Sequence, residues 1–138
     1  MTPPDSVFTI EFSKLGKPSD GYISVGEFDD QMPFSIKRVF WTYYTPEDIV
    51  RGRHAHHNTE QVLVAVAGRI TLTTEMLNGD IQTFVLDKPE LGVYMPKYCW
   101  HTMQYSHTAV QMVLSSTKYD PEDYIRDYDE LKLLAKKS

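Results

Sequence analysis

The sequence predicts an all-β domain, a sandwich or small barrel of short strands, followed by one C-terminal helix. Three observations carry this. Apolar and β-branched runs of strand length recur through residues 1–117. Gly, Pro and Asn punctuate them. Helical spacing of apolar residues emerges only after Asp120. At 138 residues the chain is the size of one domain with one core. Residues 1–138 are therefore read as a single unit, a β-domain over 1–117 and a helical segment over 120–136.

The elements follow in order. Val7 to Phe12 alternates apolar and polar residues and reads as a strand. Lys14 to Gly21, with Gly16 and Pro18, reads as a loop, and Tyr22 to Phe28 as a second strand. Ile36 to Tyr44 is rich in β-branched and aromatic residues, and Pro46 breaks it. Gln61 to Val66 is almost continuously apolar, as in a strand buried on both faces. Gly68 marks a turn before the strand Arg69 to Met76. Asn78-Gly79-Asp80 is a hairpin signal, because Asn and Gly tolerate positive φ, and Ile81 to Leu86 returns. Gly92 to Met95 and Val110 to Ser115 complete the strands. Asp120-Pro121-Glu122-Asp123 resembles a helix start, with a cap, Pro in first position and early acids. Tyr124, Ile125, Tyr128, Leu131 and Leu134 then recur at helical spacing, in one helix or two short pieces.

Several function classes are disfavoured. The net charge is -5 with no run of Lys or Arg, so there is no concentrated basic face for nucleic acid. No apolar stretch approaches the roughly 20 residues that cross a bilayer, and the N-terminus lacks the basic start and apolar run of a secretory signal. Cys99 is the single cysteine, which excludes an internal disulfide and fits a cytoplasmic protein. With no thiol-enzyme pattern around it, Cys99 reads as a small core residue.

Chemistry concentrates in Arg51-Gly52-Arg53-His54-Ala55-His56-His57-Asn58-Thr59-Glu60-Gln61. In an extended segment His54 and His56 point to one side and His57 to the other, towards solvent. Two imidazoles entering one cavity suit either a metal site or acid/base chemistry near neutrality.

His54-x-His56 followed by Gly68, and then Pro96-Lys97-Tyr98-Cys99-Trp100-His101, resembles the two motifs of the cupins, which are β jelly rolls. Gln61 stands where a metal-binding cupin carries a Glu ligand, and an amide is the weaker ligand for a hard cation. A metal would have to rely on His54, His56 and His101. A closer resemblance spans nearly the whole chain. It comprises Pro33-Phe34-Ser35-Ile36-Lys37-Arg38-Val39, Arg51-Gly52-x-His54-Ala55-His56 and Glu60-Gln61-Val62-Leu63-Val64. It continues with Gly92-Val93-Tyr94, Trp100-His101 and Tyr119-Asp120-x-x-Asp123-Tyr124-Ile125-Arg126-Asp127-Tyr128. In order and spacing these resemble the dTDP-sugar 3,4-ketoisomerases.

That resemblance implies a cupin jelly roll with a C-terminal helix. It also implies a cytoplasmic homodimer that exchanges N-terminal strands and uses neither metal nor other cofactor. The implied reaction converts dTDP-4-keto-6-deoxy-D-glucose to a 3-keto-6-deoxyhexose, for 3-amino sugars of surface glycans. Moving the carbonyl requires removal of the C3 proton, an enediol and reprotonation at C4. His54 is the candidate carbon acid/base, and His56 its partner for the oxygen proton. Arg51 and Arg38 are candidates for the oxyanion or the diphosphate. Gln61 is a hydrogen-bonding group, and His101 is expected to close the same cavity. Trp41, Tyr43 and Tyr98 are candidates for stacking on base or sugar. Phe40-Trp41 stands where relatives often carry tyrosine, and Asp20 lies in a loop that varies among members; the C4 configuration of the product stays open, as does dTDP against UDP. Rival readings are a nucleotide-sugar epimerase and a non-catalytic sugar-binding cupin.

Overall fold

A computed structural model describes residues 3–28 and 31–137. Two five-stranded antiparallel sheets pack face to face as a cupin jelly roll. The first has the order β1 (Phe8–Glu11), β9 (Leu91–Met95), β6 (Gln61–Ala67), β11 (Val110–Ser115) and β4 (Arg38–Tyr43). The second has the order β12 (Tyr124–Ile125), β5 (Val50–His56), β10 (Trp100–Tyr105), β7 (Ile70–Glu75) and β8 (Ile81–Leu86). A hairpin of β2 (Ser13–Lys17) and β3 (Gly21–Val25) stands apart, and α1 (Tyr128–Lys137) closes the chain.

Strand β6 shows why its apolar run is continuous. Leu63 and Ala65 enter the core between the sheets with Ile70, Leu72, Leu86, Val93, Met103 and Val113. Val62 and Val64, on the other face, are covered by Phe12, Met32, Phe34 and Tyr94. Both faces of the strand leave water, so neither needs polar residues. Gly68 follows at φ +70, where an added Cβ would lie 2.5 Å from the Ala109 Cα. Only glycine fits that crossing between the sheets.

Two sequence expectations are corrected. Lys14 to Gly21 is largely strand, since β2 pairs with β3 from Ser13↔Val25 to Lys17↔Gly21. All of β2 is exposed, so no buried face imposes an apolar alternation. The helix expected over 120–136 is real only from Tyr128. Asp120 does cap a turn, accepting from the Glu122 N–H, but that 3₁₀ turn covers only Pro121–Asp123. Tyr124 and Ile125 then pair with His56 and Ala55 of β5, which draws the backbone into the sheet. The β5 and β10 strands, which carry the histidines, have no bounds in the sequence reading.

Helix α1 docks through Leu131, which is 2% exposed, onto Ala55 and Ile125, with Trp100, Tyr98 and Leu134 around them. Burying one such leucine contributes about 1.5–3 kcal/mol. At one end of the sandwich, Arg38 opens β4, His56 ends β5, Gln61 opens β6 and His101 lies second in β10. Those four ends form one mouth.

Candidate active site

A bulge in β5 arranges the site. Gly52 (φ +86) and Arg53 (φ +58) are both left-handed. Against β10, His54 pairs with His101 and Gly52 with Thr102, so Arg53 is the extra residue. In a regular strand, residues three apart face opposite sides. The bulge cancels that, and Arg51 and His54 line one cavity. A Cβ on Gly52 would meet the His101 carbonyl oxygen at 2.7 Å, so glycine is required where the two strands close.

The cavity is about 90 Å³ and is lined by Arg51, His54, Gln61, His101, Phe40 and Tyr105, among others. His56 joins it through the ring cluster. Ring centroids are 5.0 Å apart for His54–His56, 4.5 Å for His54–His101 and 6.2 Å for His56–His101. Each imidazole has its Nδ1 engaged. His54 Nδ1 faces the Gly52 carbonyl at 3.1 Å, His56 Nδ1 the Asp123 carboxylate at 2.9 Å, and His101 Nδ1 the Cys99 carbonyl at 3.1 Å. These partners only accept, so each Nδ1 carries the proton and each Nε2 keeps a lone pair. His56 Nε2 is buried with no partner among the described residues.

Burial lowers the pKa of all three rings. For His54 the loss of solvent outweighs the Gly52 hydrogen bond, and Arg126 adds to the lowering. For His56 burial and neighbouring His54 outweigh Asp123 and bring the value to about 4. His101 is held well below the usual histidine range by burial and then by His54. All three are neutral at neutral pH, and a neutral imidazole can accept a proton.

Asp123 holds His56 in place, although the sequence reading, which has it as a helix-start acid and within the family-like run to Tyr128, gives it no site role. Its carboxylate accepts from His56 Nδ1, from the Asn58 N–H at 2.6 Å and from the Thr59 hydroxyl. Burial pushes its pKa up, but the bonds from Thr59, Asn58 and His56 win and hold it below the usual range. Tyr124 is the second missed residue. Its ring lies 5.0 Å from His54 and 4.5 Å from His56, with the Arg126 guanidinium over the ring at 4.3 Å. The signal was present in the run from Tyr119 to Tyr128; its reading as a helix removed these side chains from the site.

The remaining expected residues are placed as follows. Arg38 is half-buried, its guanidinium 5.4 Å from the Phe40 ring and 5.7 Å from Tyr119, and its Nε is buried without a partner among the described residues. Gln61 is buried, lines the cavity and donates to Ser115 Oγ at 3.4 Å. Tyr43 is not brought to the cavity. In β4, Arg38, Phe40 and Thr42 turn inward, while Trp41 and Tyr43 are 62% and 54% exposed on the outer face. Alternation along the strand forces that separation. Phe40, not Trp41, is therefore the aromatic residue that β4 brings to the cavity. Tyr98 lines a separate cavity of about 460 Å³ with Pro4, Met76, Leu77 and Pro96. His57 turns away as expected but is half-buried, its ring edge-on to Tyr98 at 5.7 Å. Asp20 sits in the β2–β3 turn beside Lys17 at 3.5 Å. Burial pushes the Cys99 thiol up to about 12, which removes it as a nucleophile.

Comparison with known proteins finds relatives along nearly the whole chain. The chain is 40% identical over 124 residues to a TDP-4-oxo-6-deoxy-α-D-glucose-3,4-oxoisomerase of Aneurinibacillus thermoaerophilus, covering 89% of this chain and 88% of that one. A 3,4-ketoisomerase from Helicobacter canadensis superposes with a TM-score of 0.89 at 30% identity, over 94% of this chain and 97% of that one. A mutant of QdtA, the 3,4-ketoisomerase of Thermoanaerobacterium thermosaccharolyticum, in complex with TDP-4-keto-6-deoxyglucose, also reaches 0.89. That match is 31% identical and covers 95% of this chain and 94% of the other. The family described as FdtA, WxcM-like, C-terminal, matches residues 5–136, nearly the full length; with its three clustered imidazoles in a cupin jelly roll, the chain belongs to that family.

Proposed function

We propose that the chain is a sugar 3,4-ketoisomerase acting on dTDP-4-keto-6-deoxy-D-glucose, and that His54 and His56 move its protons. One observation carries this reading. Three neutral imidazoles cluster with their Nδ1 atoms engaged; His54 and His101 line one small cavity, and His56 beside them is fixed by a carboxylate. The relatives named for this reaction add the substrate.

His54 takes the C3 proton and returns it at C4, and His56, held by Asp123, relays the proton between the two oxygens. Arg51 and Arg38 face the developing oxyanion or the diphosphate; the unpartnered Nε of Arg38 supports that role. Gln61 and His101 hold the sugar hydroxyls. A cavity of about 90 Å³ takes no more than part of a sugar ring, so the nucleotide lies outside the mouth. Tyr43 has no support as a stacking residue within one chain, since it faces away. The reaction needs no resident cofactor under this scheme. The enzyme serves 3-amino-sugar synthesis for surface glycans in the cytoplasm; no described helix is long and apolar enough to cross a membrane.

The working unit is a homodimer with exchanged N-terminal strands. Leu15 (57% exposed) and Ile23 (66%) on the projecting hairpin, and Trp41 on the outer face of β4, support an interface.

Incubation with dTDP-4-keto-6-deoxyglucose in D₂O tests the reaction. A 3-keto product is expected, with deuterium at C4 to the extent that the proton held by His54 exchanges with solvent before its return. Exchange with inversion and an unmoved carbonyl indicates an epimerase, and neither change indicates a binding protein.

A further inference from the structure

We propose that β8 is an interaction edge on which a second copy of this chain lays its own β8, antiparallel and centred on Phe84, so that the second sheets of the two copies become one. The two edges of that sheet differ. At one, β12 is covered by α1, whose Leu131 packs on Ile125. At the other, β8 pairs with β7, and no further strand pairs with it among the described residues. The backbone groups on its free side are thus open to another chain.

Edge strands that avoid such pairing carry a charge, a proline or a bulge. Ile81-Gln82-Thr83-Phe84-Val85-Leu86 has none of these, and its register with β7 runs unbroken from Ile70↔Leu86 to Glu75↔Ile81. Phe84 and Leu86 turn to the core. Alternation places Ile81, Thr83 and Val85 on the opposite face, where Ile81 is 63% and Val85 54% exposed. All three are β-branched, the type that packs well across paired strands.

The flanking charges point to a second copy as the occupant. A twofold axis perpendicular to the joined sheet keeps both core faces on one side, so facing residues must share a face. With Phe84 opposite Phe84 of the second copy, Thr83 faces Val85 and Asp80 comes opposite Lys88, twice by symmetry. Neither Asp80 nor Lys88 belongs to a salt bridge among the described residues. The next register, centred on Thr83, sets the Asp80 carboxylate against Leu86, which is wholly buried. The chain carries the complement of its own edge.

The contact is separate from the hairpin and from the outer face of β4, and it does not rest on the proposed reaction. A single six-residue strand a side falls short of a stable interface, so pairing is expected at a concentration on the order of 100 µM. Sedimentation equilibrium of the full chain, from micromolar to about 500 µM, tests it. The weight-average mass of the parent should rise above its low-concentration value, whether that is a dimer or a monomer. Val85→Lys, an exposed change that puts a charge in the middle of the edge, should abolish the rise. Lys88→Glu sets two carboxylates against each other at both ends and should weaken association by about 10-fold. Asp80→Lys combined with Lys88→Glu restores opposite charges and should return it to within about 3-fold of the parent. Circular dichroism verifies each fold, and the charge exchange decides alone if Val85→Lys does not fold. A parent whose mass stays constant overturns the proposal. So does a rise that Val85→Lys leaves unchanged, or a double exchange that associates no better than Lys88→Glu. A monomer at low concentration that still gains mass upholds the β8 contact and removes only the exchanged-strand dimer.

Discussion

Single side chains around the histidines have separable effects. His54→Asn removes the proposed carbon base, and turnover should fall by about 10²–10⁴-fold with the fold and substrate binding retained. His56→Asn should cost less, since water can replace part of a relay. His57→Asn should stay close to the parent rate, because its ring packs on Tyr98 outside the cavity. Steady-state kinetics of the three variants check the ranking, and a larger loss at His57 than at His54 would overturn it. Asp123→Asn is a sharper test of positioning. Its amide can satisfy only part of what His56, Asn58 and Thr59 ask of two carboxylate oxygens. The expected result is a kcat loss comparable to His56→Asn with KM little changed. Stability should drop by about 1–3 kcal/mol, the cost of buried groups left unpaired. A lowered kcat restored by Asp123→Glu would support positioning; an unchanged kcat contradicts it.

Elements fail and succeed as units. Helix α1 is tied to the second sheet by Glu75, whose carboxylate accepts from the Tyr128 hydroxyl at 2.7 Å and from the Lys132 ammonium. Burial pushes the Glu75 pKa up, but the bonds from Lys132 and Tyr128 outweigh it and leave it below the usual carboxylate range. A depressed pKa in the folded state gives stability that is present above the unfolded value, near 4.5. That stability is lost as pH falls through the folded value. Amide exchange in α1 should therefore accelerate below about pH 4.5, and Glu75→Gln should show the same fraying at neutral pH with no further acid response. Equal acid responses in parent and variant would contradict this. The same end of the chain shows where sequence reading stops. Asp120 and Pro121 signal a helix start correctly, yet Tyr124 and Ile125 join β5 because pairing with His56 and Ala55 is a tertiary event. Strand β6 was legible because burial on both faces writes itself into residue type, and β11 because four of its six residues are apolar. The hairpin β2–β3 was half-missed because nothing covers it within one chain.

At the scale of the molecule, the histidine pair was legible because i, i+2 spacing survives folding. The bulge at Gly52 and Arg53 was not, and it alone brings Arg51 to the same side as His54. Tyr43 lies on the outer face of β4, a phase that a run of mixed aromatic and β-branched residues does not set by itself. Assembly is testable as a whole-molecule property. Sedimentation at micromolar concentration should give a dimer, and Ile23→Lys, which charges an exposed apolar position on the hairpin, should shift it towards monomer. A monomeric parent would remove the exchanged-strand dimer.

The bond between His56 and Asp123 spans 67 residues and joins the middle of the chain to a segment made after every strand of the two main sheets except β12. On the ribosome, residues up to Ser115 emerge first, and these already contain the apolar core between the sheets. His56 has no carboxylate to orient it until Asp123 follows. The oriented histidine is thus acquired last, and a nascent or prematurely ended chain can present a barrel that lacks the His56–Asp123 bond on which the proposed relay depends. Synthesis itself sets the order in which shape and reactivity appear.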